Sequence, residues 1–591
     1  MDSIERQSTT LVAGQTGLAV PLIVGVTGHR DLVAAEVPGI RTRVRTFLKE
    51  LLADYPERGI TVMSALAEGA DQLVAEEALA LGIPVIAPLP MPLDLYLEDF
   101  AAPQAQEKFQ KLHAQAREVF ELPITEGNAE SSIKDYGDDR NLQYAQLGVF
   151  LCAHCHILLA LWDGKVTDQL GGTGQVVRFH HDDVMPGYTP STAGGGLLLS
   201  DDESDLVFHI VCSRNRKNGA PEPPLKALDW WWYTLDNDSE RTKSLPERHQ
   251  RVFNYSSEFS KDAVKHQDLI RDESWSLLPK SATEDLPPGL HDIDQVFCAA
   301  DWLAIFYQKR LMRTLRIKHL IALMMGLLYI LYSDLRPSPF FLYAFLGLFL
   351  AATGLHWLAD RRGWHRKYLD YRTLAEGLRV QFYWAASGVR RGKVSKFAHD
   401  NFLQTQDPDL GWIRNVMRAA GIECDAANYN KHAGLAFALR EWLGDENTGQ
   451  LGYYRRKGEE RLRRHRNTQV LSNIVFWIGF VSIALFIVLS PADNDRFHDP
   501  LVVLMGIMLL LVGIRQSYSF SMGDAELLKQ YRFMRRIFAN ARRRVMKVDS
   551  DSEKRRVLRV LGNAALDENA QWILMHRERA LDQGEVFRMS G

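Results

Sequence analysis

The sequence predicts an α/β N-terminal domain built on a parallel sheet, followed by an α-helical membrane domain with four transmembrane helices in two tandem hairpins. Three observations predict it. Short apolar runs in the first 210 residues end in loops of small residues that open helical stretches, the order expected of parallel strands joined by helices. Long apolar runs appear only beyond residue 316 and approach the roughly 20 residues a spanning helix needs. Finally, 591 residues exceed one domain at roughly 100–200 residues each.

The first strand is Leu22 to Val26, an unbroken apolar run of the kind buried on both faces of a parallel sheet. It stops at Thr27, Gly28, His29 and Arg30. Ile40 to Tyr55 then repeats apolar residues at helical spacing. Gly59 to Ser64 is the second strand, ending in Ala65, Leu66, Ala67, Glu68, Gly69, Ala70, Asp71 and Gln72. A helix follows over Leu73–Leu81, and Ile83–Leu89 is the third strand. Residues 91–130 read as helical and charged, and Leu142–Cys155 as another helix. Ile157 to Trp162 is a buried strand ending at Asp163 and Gly164. The loop Leu170, Gly171, Gly172, Thr173, Gly174 opens the next helix, and Leu206–Cys212 is the last strand, with a basic end at residues 213–217. Trp230 to Tyr233 fits either a membrane-interface belt or an edge packed against the domain.

Each small-residue loop lies past a strand end, where open α/β sheets bind ligands. Glycine lets a backbone approach closely, helix starts present free N–H groups to an anion, and Arg30 adds a fork of donors for phosphate. Three such loops together predict a phosphate cradle. A net charge of -3 argues against bulk nucleic-acid binding. The polar first residues carry no signal-peptide core. Five cysteines without framework spacing suit a reducing compartment. Cys152 and Cys155 with His156 match a haem-attachment spacing but are expected to be buried packing residues; His180 to Asp183 is expected to be a polar loop.

Residues 26–30, residues 64–71, and Trp162, Asp163 and Gly164 with Gly171 to Gly174 resemble the three signatures of the SLOG superfamily. This Rossmann-like group includes the DNA-processing DprA proteins, the LOG phosphoribohydrolases and the sensor domains of melastatin-type TRP channels. The resemblance covers about residues 20–185. It implies that Gly25, Thr27, Gly28, His29, Arg30, Ser64, Leu66, Glu68, Gly69, Ala70, Asp71, Trp162, Asp163, Gly171, Gly172, Thr173 and Gly174 surround a nucleotide or ADP-ribose-like ligand, with no cofactor or metal. LOG-type hydrolases carry a glutamate just after the glycine-threonine loop; here Gln175, Val176, Val177 and Arg178 follow instead. Binding is therefore expected rather than hydrolysis.

In the second half, apolar runs at Ile317–Tyr332 and Phe340–Leu358 form one hairpin, and Val470–Leu489 and Leu501–Ile514 another. Arg and Lys cluster at 309–316, 361–367 and 455–464, whereas the two hairpin breaks hold only Arg336 and Arg496. The positive-inside rule places Asp334 and Asn494 outside and His29 and Lys547 inside. Tyr307 before hairpin one and Tyr454 before hairpin two, with Ala375-Glu376 and Ala525-Glu526 after them, read as a tandem duplication. Each unit resembles the SLATT domains, proposed membrane effectors. Gly347 and Ala351 are spaced for close helix packing.

The domains expected are a polar tail 1–20, a SLOG-like domain 21–235, a linker 236–295, hairpin units 296–400 and 451–545 joined by a connector 401–450, and a cytoplasmic tail 546–591. The resemblance implies a multi-pass protein of the bacterial inner membrane with its sensor domain and both termini in the cytoplasm. It would be a homo-oligomer that binds a nucleotide signal and permeabilises the lipid bilayer in antiphage defence, with no nucleic-acid partner. The alternatives are a membrane-tethered nucleotide or nucleoside hydrolase using Glu68 or Asp71, and a passive scaffold.

Overall fold

Leu22 to Gly28 pairs with two neighbours at once, which is why its side chains are apolar on both faces. In a computed structural model it is the central strand β1 (Leu22–Gly28). The structure describes residues 18–100, 102–167, 169–189, 205–234, 241–278, 286–287, 289–335, 337–389, 402–403, 407–426, 431–489, 495–522 and 524–582. The polar tail up to residue 17, most of the Gly/Pro/Ser-rich stretch that the sequence places between Met185 and Gly196, Asn494 and the last nine residues lie outside them.

In order come α1 (Val37–Asp54), β2 (Ile60–Met63), α2 (Ala70–Ala80), β3 (Val85–Leu89), α3 (Leu93–Leu97), α4 (Pro103–Gln115), β4 (Glu118–Glu121), α5 (Asp138–His154), β5 (Ile157–Trp162), α6 (Thr173–Asp182), β6 (Val207–Val211) and β7 (Trp230–Tyr233). Then follow α7 (Glu247–Lys265), α8 (Gln267–Glu273), α9 (Leu290–Ile330), α10 (Pro339–Arg361), α11 (Trp364–Ser387), α12 (Gly411–Ala420), α13 (Ile422–Ala426), α14 (Lys431–Ala438), α15 (Gly449–Leu489), α16 (Asp495–Met522), α17 (Asp524–Val545) and α18 (Asp551–Asp582). The chain divides into two compact units. The first comprises Met1–Trp302, Thr373–Leu435 and Leu566–Leu574, and the second Leu303–Arg372, Ala436–Ala565 and Met575–Gly591.

The first unit holds a seven-stranded sheet of order β4-β3-β2-β1-β5-β6-β7, parallel except for β7. Two differences from the expected elements stand out. β4 falls inside a stretch read as helical; its residues Glu118 to Glu121 are only half-buried or exposed, so they lack the apolar run of a central strand. Trp230 to Tyr233 is the antiparallel edge strand, so the packed-edge alternative holds: Trp230 and Trp232 lie 5.5 and 4.9 Å from the Phe208 ring.

Helices cover both faces. Phe208 stacks on Phe47 of α1 at 4.0 Å, while its neighbour Val207 joins a core with Phe150 of α5 and Val176 of α6. Every residue of β5 is buried, and each fully buried aliphatic side chain contributes roughly 1.5–3 kcal/mol. The expected linker supplies α7, whose Phe253 meets Tyr55 and whose Phe259 meets Trp412 of α12. His156 receives a hydrogen bond from the Ile23 amide on Nδ1, so its Nε2 carries the proton and donates to the Asn415 carbonyl at 2.7 Å. Burial holds this imidazole neutral, far below its ordinary pKa. All five cysteines are buried, Cys152 and Cys155 as expected. His180 and His181 are buried on α6 rather than in a polar loop, and the described residues contain no metal-binding cluster.

Four helices are long and apolar enough to cross a membrane: α9, α10, α15 and α16. α9 and α15 are each 41 residues long and carry the first arm of their hairpins at their C-terminal ends; α11 and α17 follow the hairpins with 24 and 22. Within the second unit Tyr307 meets Tyr371 of α11 at 5.8 Å, and Tyr454 meets Tyr531 of α17 at 6.1 Å. α9 and α16 approach through glycine: a β-carbon added at Gly326 would lie 2.5 Å from Leu510. The close packing expected at Gly347 is not seen; nothing lies within 4 Å of a β-carbon built there. His319 and Ser517 lie 3.4 Å apart in an interhelical hydrogen bond between α9 and α16.

Candidate functional site

At the end of β1 the backbone is tied to two neighbours. The His29 amide donates to Leu161 of β5, and the His29 carbonyl accepts from Ala70 at the start of α2, both at 3.1 Å. This crossing leaves no room for side chains. A β-carbon on Gly28 would collide with Ala70, and one on Gly69 with the Arg30 and His29 carbonyls; Gly69 also has φ +89°, a conformation only glycine adopts readily. The loop after β2 is held by Ser64, whose Oγ accepts from the Leu66 amide and donates to the Asp71 carbonyl. Leu66 is buried at φ +58°, strain of the kind stored at functional sites.

The end of β5 is joined to β1 through side chains. The Asp163 amide donates to His29 Nε2 at 3.1 Å, and Asp163 Oδ1 lies 3.1 Å from the same nitrogen and accepts from the Lys165 amide. Burial works to raise the Asp163 pKa, but these hydrogen bonds outweigh it and hold the carboxyl below its ordinary value. Gly172 caps α6 in extended conformation, so the first amides of that helix, at Thr173 and Gly174, have no helical carbonyl to bond.

These loops enclose one cavity of about 320 Å³. It lies where β1 and β5 diverge in chain order, the switch point at which open parallel sheets take ligands. Of the residues the sequence singled out, Thr27, Gly28, His29, Arg30, Asp71, Gly171, Gly172, Thr173 and Gly174 line it. Gly25, Ser64, Leu66, Glu68, Gly69, Ala70, Trp162 and Asp163 do not. Most of these shape the loops; Gly25 lies inside β1 against Cys155. Gln175, where a LOG-type acid would stand, is buried and outside the lining.

Three arginines line the cavity, in different states. Arg140 is buried and bonded to Asp99 at 2.8 Å and to the Ile133 carbonyl. Arg214, from the basic end of β6, pairs with Asp31 at 2.8 Å. Among the described residues Arg30 makes no ion pair; its guanidinium lies over the Tyr144 ring at 5.3 Å. Asp71 is a carboxylate of a different kind: burial pushes its pKa up to about 7, against the pull of Arg30 and of loop hydrogen bonds. Tyr136 and Tyr144 add aromatic faces, and Asn141 an amide. Arg140, Asn141 and Tyr144 lie on α5 and Tyr136 just before it; the sequence marks this segment only as an apolar helix, and its polar first turn, Asp138 to Asn141, is the available signal.

The arrangement presents Arg30, without an ion pair among the described residues, with one helix start and three tyrosine rings around a space the size of a small ligand site, which run to about 300–1,000 Å³. The chain matches no protein-family model and no curated protein.

Proposed function

We propose that the chain is a membrane-anchored sensor and effector whose cavity at the sheet's carboxyl edge binds a nucleotide-derived or ADP-ribose-like signal. The observation that carries this reading is Arg30, without an ion pair among the described residues, sharing one cavity with the amide-rich start of α6 and with Tyr144. Phosphate suits the first two and a base or ribose the third. The four apolar helices support a membrane location, and α10 buries none of its residues within the chain, leaving its surface to lipid or to a second copy. In this reading, signal binding changes the permeability of a bacterial inner membrane, the setting being antiphage defence and the active form a homo-oligomer. A ligand shifts such an equilibrium only through different affinity for the two states.

A second reading, a membrane-tethered nucleotide hydrolase, draws on Asp71. A carboxyl titrating near neutrality inside the cavity has the pKa of a general acid or base. Glu68 lies outside the lining and is the weaker candidate.

Mass spectrometry of small molecules released from the purified full chain tests the binding reading. A nucleotide should be released from the wild type and be depleted from an Arg30→Ala variant of unchanged melting temperature, since the Arg30 side chain is exposed. The same release from both, or none from either, would contradict it. Conversion of the bound nucleotide by the wild type but not by Asp71→Asn would favour the hydrolase.

A further inference from the structure

A second cavity, of about 510 Å³, opens at the opposite, amino edge of the sheet, and shares no lining residue with the first. It is built from the start of β2, the turn between α2 and β3, and the chain leading into β4. Three polar groups in its lining are buried without a hydrogen-bond partner: Nη1 of Arg58, Oγ1 of Thr61 and Nη1 of Arg117. Arg58 and Thr61 are each only 1 % exposed. Two of the Arg58 nitrogens are spent on the Val20 and Pro21 carbonyls, at 3.1 and 3.3 Å, which fix the guanidinium and leave the third. Arg117 has the Glu118 and Asp292 carboxyls within electrostatic reach, whereas no carboxylate lines the cavity. The rest of the wall is largely apolar, including Leu52, Ile60, Leu79, Leu81 and Ile83.

Orphaned buried donors are rare in folded proteins, and a buried cation without a counter-ion is costlier still. Here the three orphan atoms belong to side chains of one cavity wall, and of its two cations Arg58 has no carboxylate near it whereas Arg117 has Glu118 and Asp292. Burial pushes Arg58 down to about 9, the direction expected of a guanidinium lacking an anion. Water would satisfy the hydrogen bonds but not the charge.

We propose that this cavity is a binding site for a small amphiphilic anion, its oxyanion head held by Arg58, Arg117 and Thr61 and its short apolar body lying on the leucine and isoleucine wall. The head is a phosphate or a carboxylate.

Calorimetric titration of the detergent-solubilised full chain with hexyl phosphate, hexanoate, inorganic phosphate and hexanol tests this. At least one hexyl anion should bind at one per chain, at least about tenfold tighter than inorganic phosphate, with hexanol silent. Which hexyl anion binds tighter identifies the head. Thr61→Val should weaken binding about 5- to 10-fold while raising the melting temperature of the ligand-free chain, because it removes an orphan hydroxyl without changing shape. Arg117→Gln should weaken binding about tenfold or more, and Leu79→Trp should fill the space and abolish it. Silence from both hexyl anions, equal binding of hexanol, or affinity unchanged by both Thr61→Val and Arg117→Gln would overturn the proposal.

Discussion

Arg30 and Asp71 divide the electrostatics of the carboxyl-edge cavity between them. Arg30→Ala should weaken nucleotide binding by about 1.5–3 kcal/mol, the range for a hydrogen bond to a charged group, as read by calorimetry. Asp71 is protonated below about pH 7, because burial raises its pKa. An anionic ligand therefore meets a neutral carboxyl in acid and a negative one in alkali. Affinity should fall as pH rises from 6 to 8, and Asp71→Asn should flatten that profile; a profile unchanged by Asp71→Asn would remove Asp71 from the account. At this scale the sequence showed the residues whose type is forced by the backbone. Gly28 and Gly69 are glycine because two chains cross there, and glycine beside a strand end is visible in a sequence. Arg140 and Tyr144 were not visible, since nothing local distinguishes a helix side chain that faces a cavity from one that faces solvent, and Tyr136 sits in a loop of no sequence signature.

Among elements, β4 is the least supported strand and carries a charge cluster. Glu118 on β4 hydrogen-bonds Glu423 of α13, which also bonds Asp292 at the start of α9, with Arg117 the neighbouring cation. Burial first, and the Glu423 charge second, raise the Glu118 pKa to about 7. A carboxyl whose folded pKa exceeds its unfolded one binds its proton more tightly when folded. Its stabilisation is complete below the unfolded value near 4 and is lost as pH rises through the folded value. The first unit should thus melt at lower temperature at pH 8 than at pH 5, and Glu423→Gln should reduce the difference. A melting temperature independent of pH in the wild type would refute this. The strands β1, β2, β3, β5 and β6 were legible because each is a continuous apolar run. β4 was hidden by its half-buried edge position, and α12 by distance, since only the fold reveals that Asn415 and Trp412 return to His156 and Phe259.

For the whole molecule, the four apolar helices were legible from length and composition alone, whereas their packing was not. Gly326, not Gly347, marks the close approach, because glycine spacing does not say which neighbour comes near. Orientation gives a further expectation: a cysteine at Lys547 should resist an impermeant thiol reagent in intact cells, and one at Asn494 should react. The reverse labelling would invert the topology. The central claim is that occupancy of the carboxyl-edge cavity controls the membrane half. Its most direct measurement is dye leakage from proteoliposomes holding the full chain, with the nucleotide identified by mass spectrometry added on the side of the sensor domain. Leakage should rise on addition for the wild type and stay at baseline for Arg30→Ala reconstituted to the same density. Leakage indifferent to the nucleotide, or equal in the two proteins, would contradict the sensor-to-membrane account.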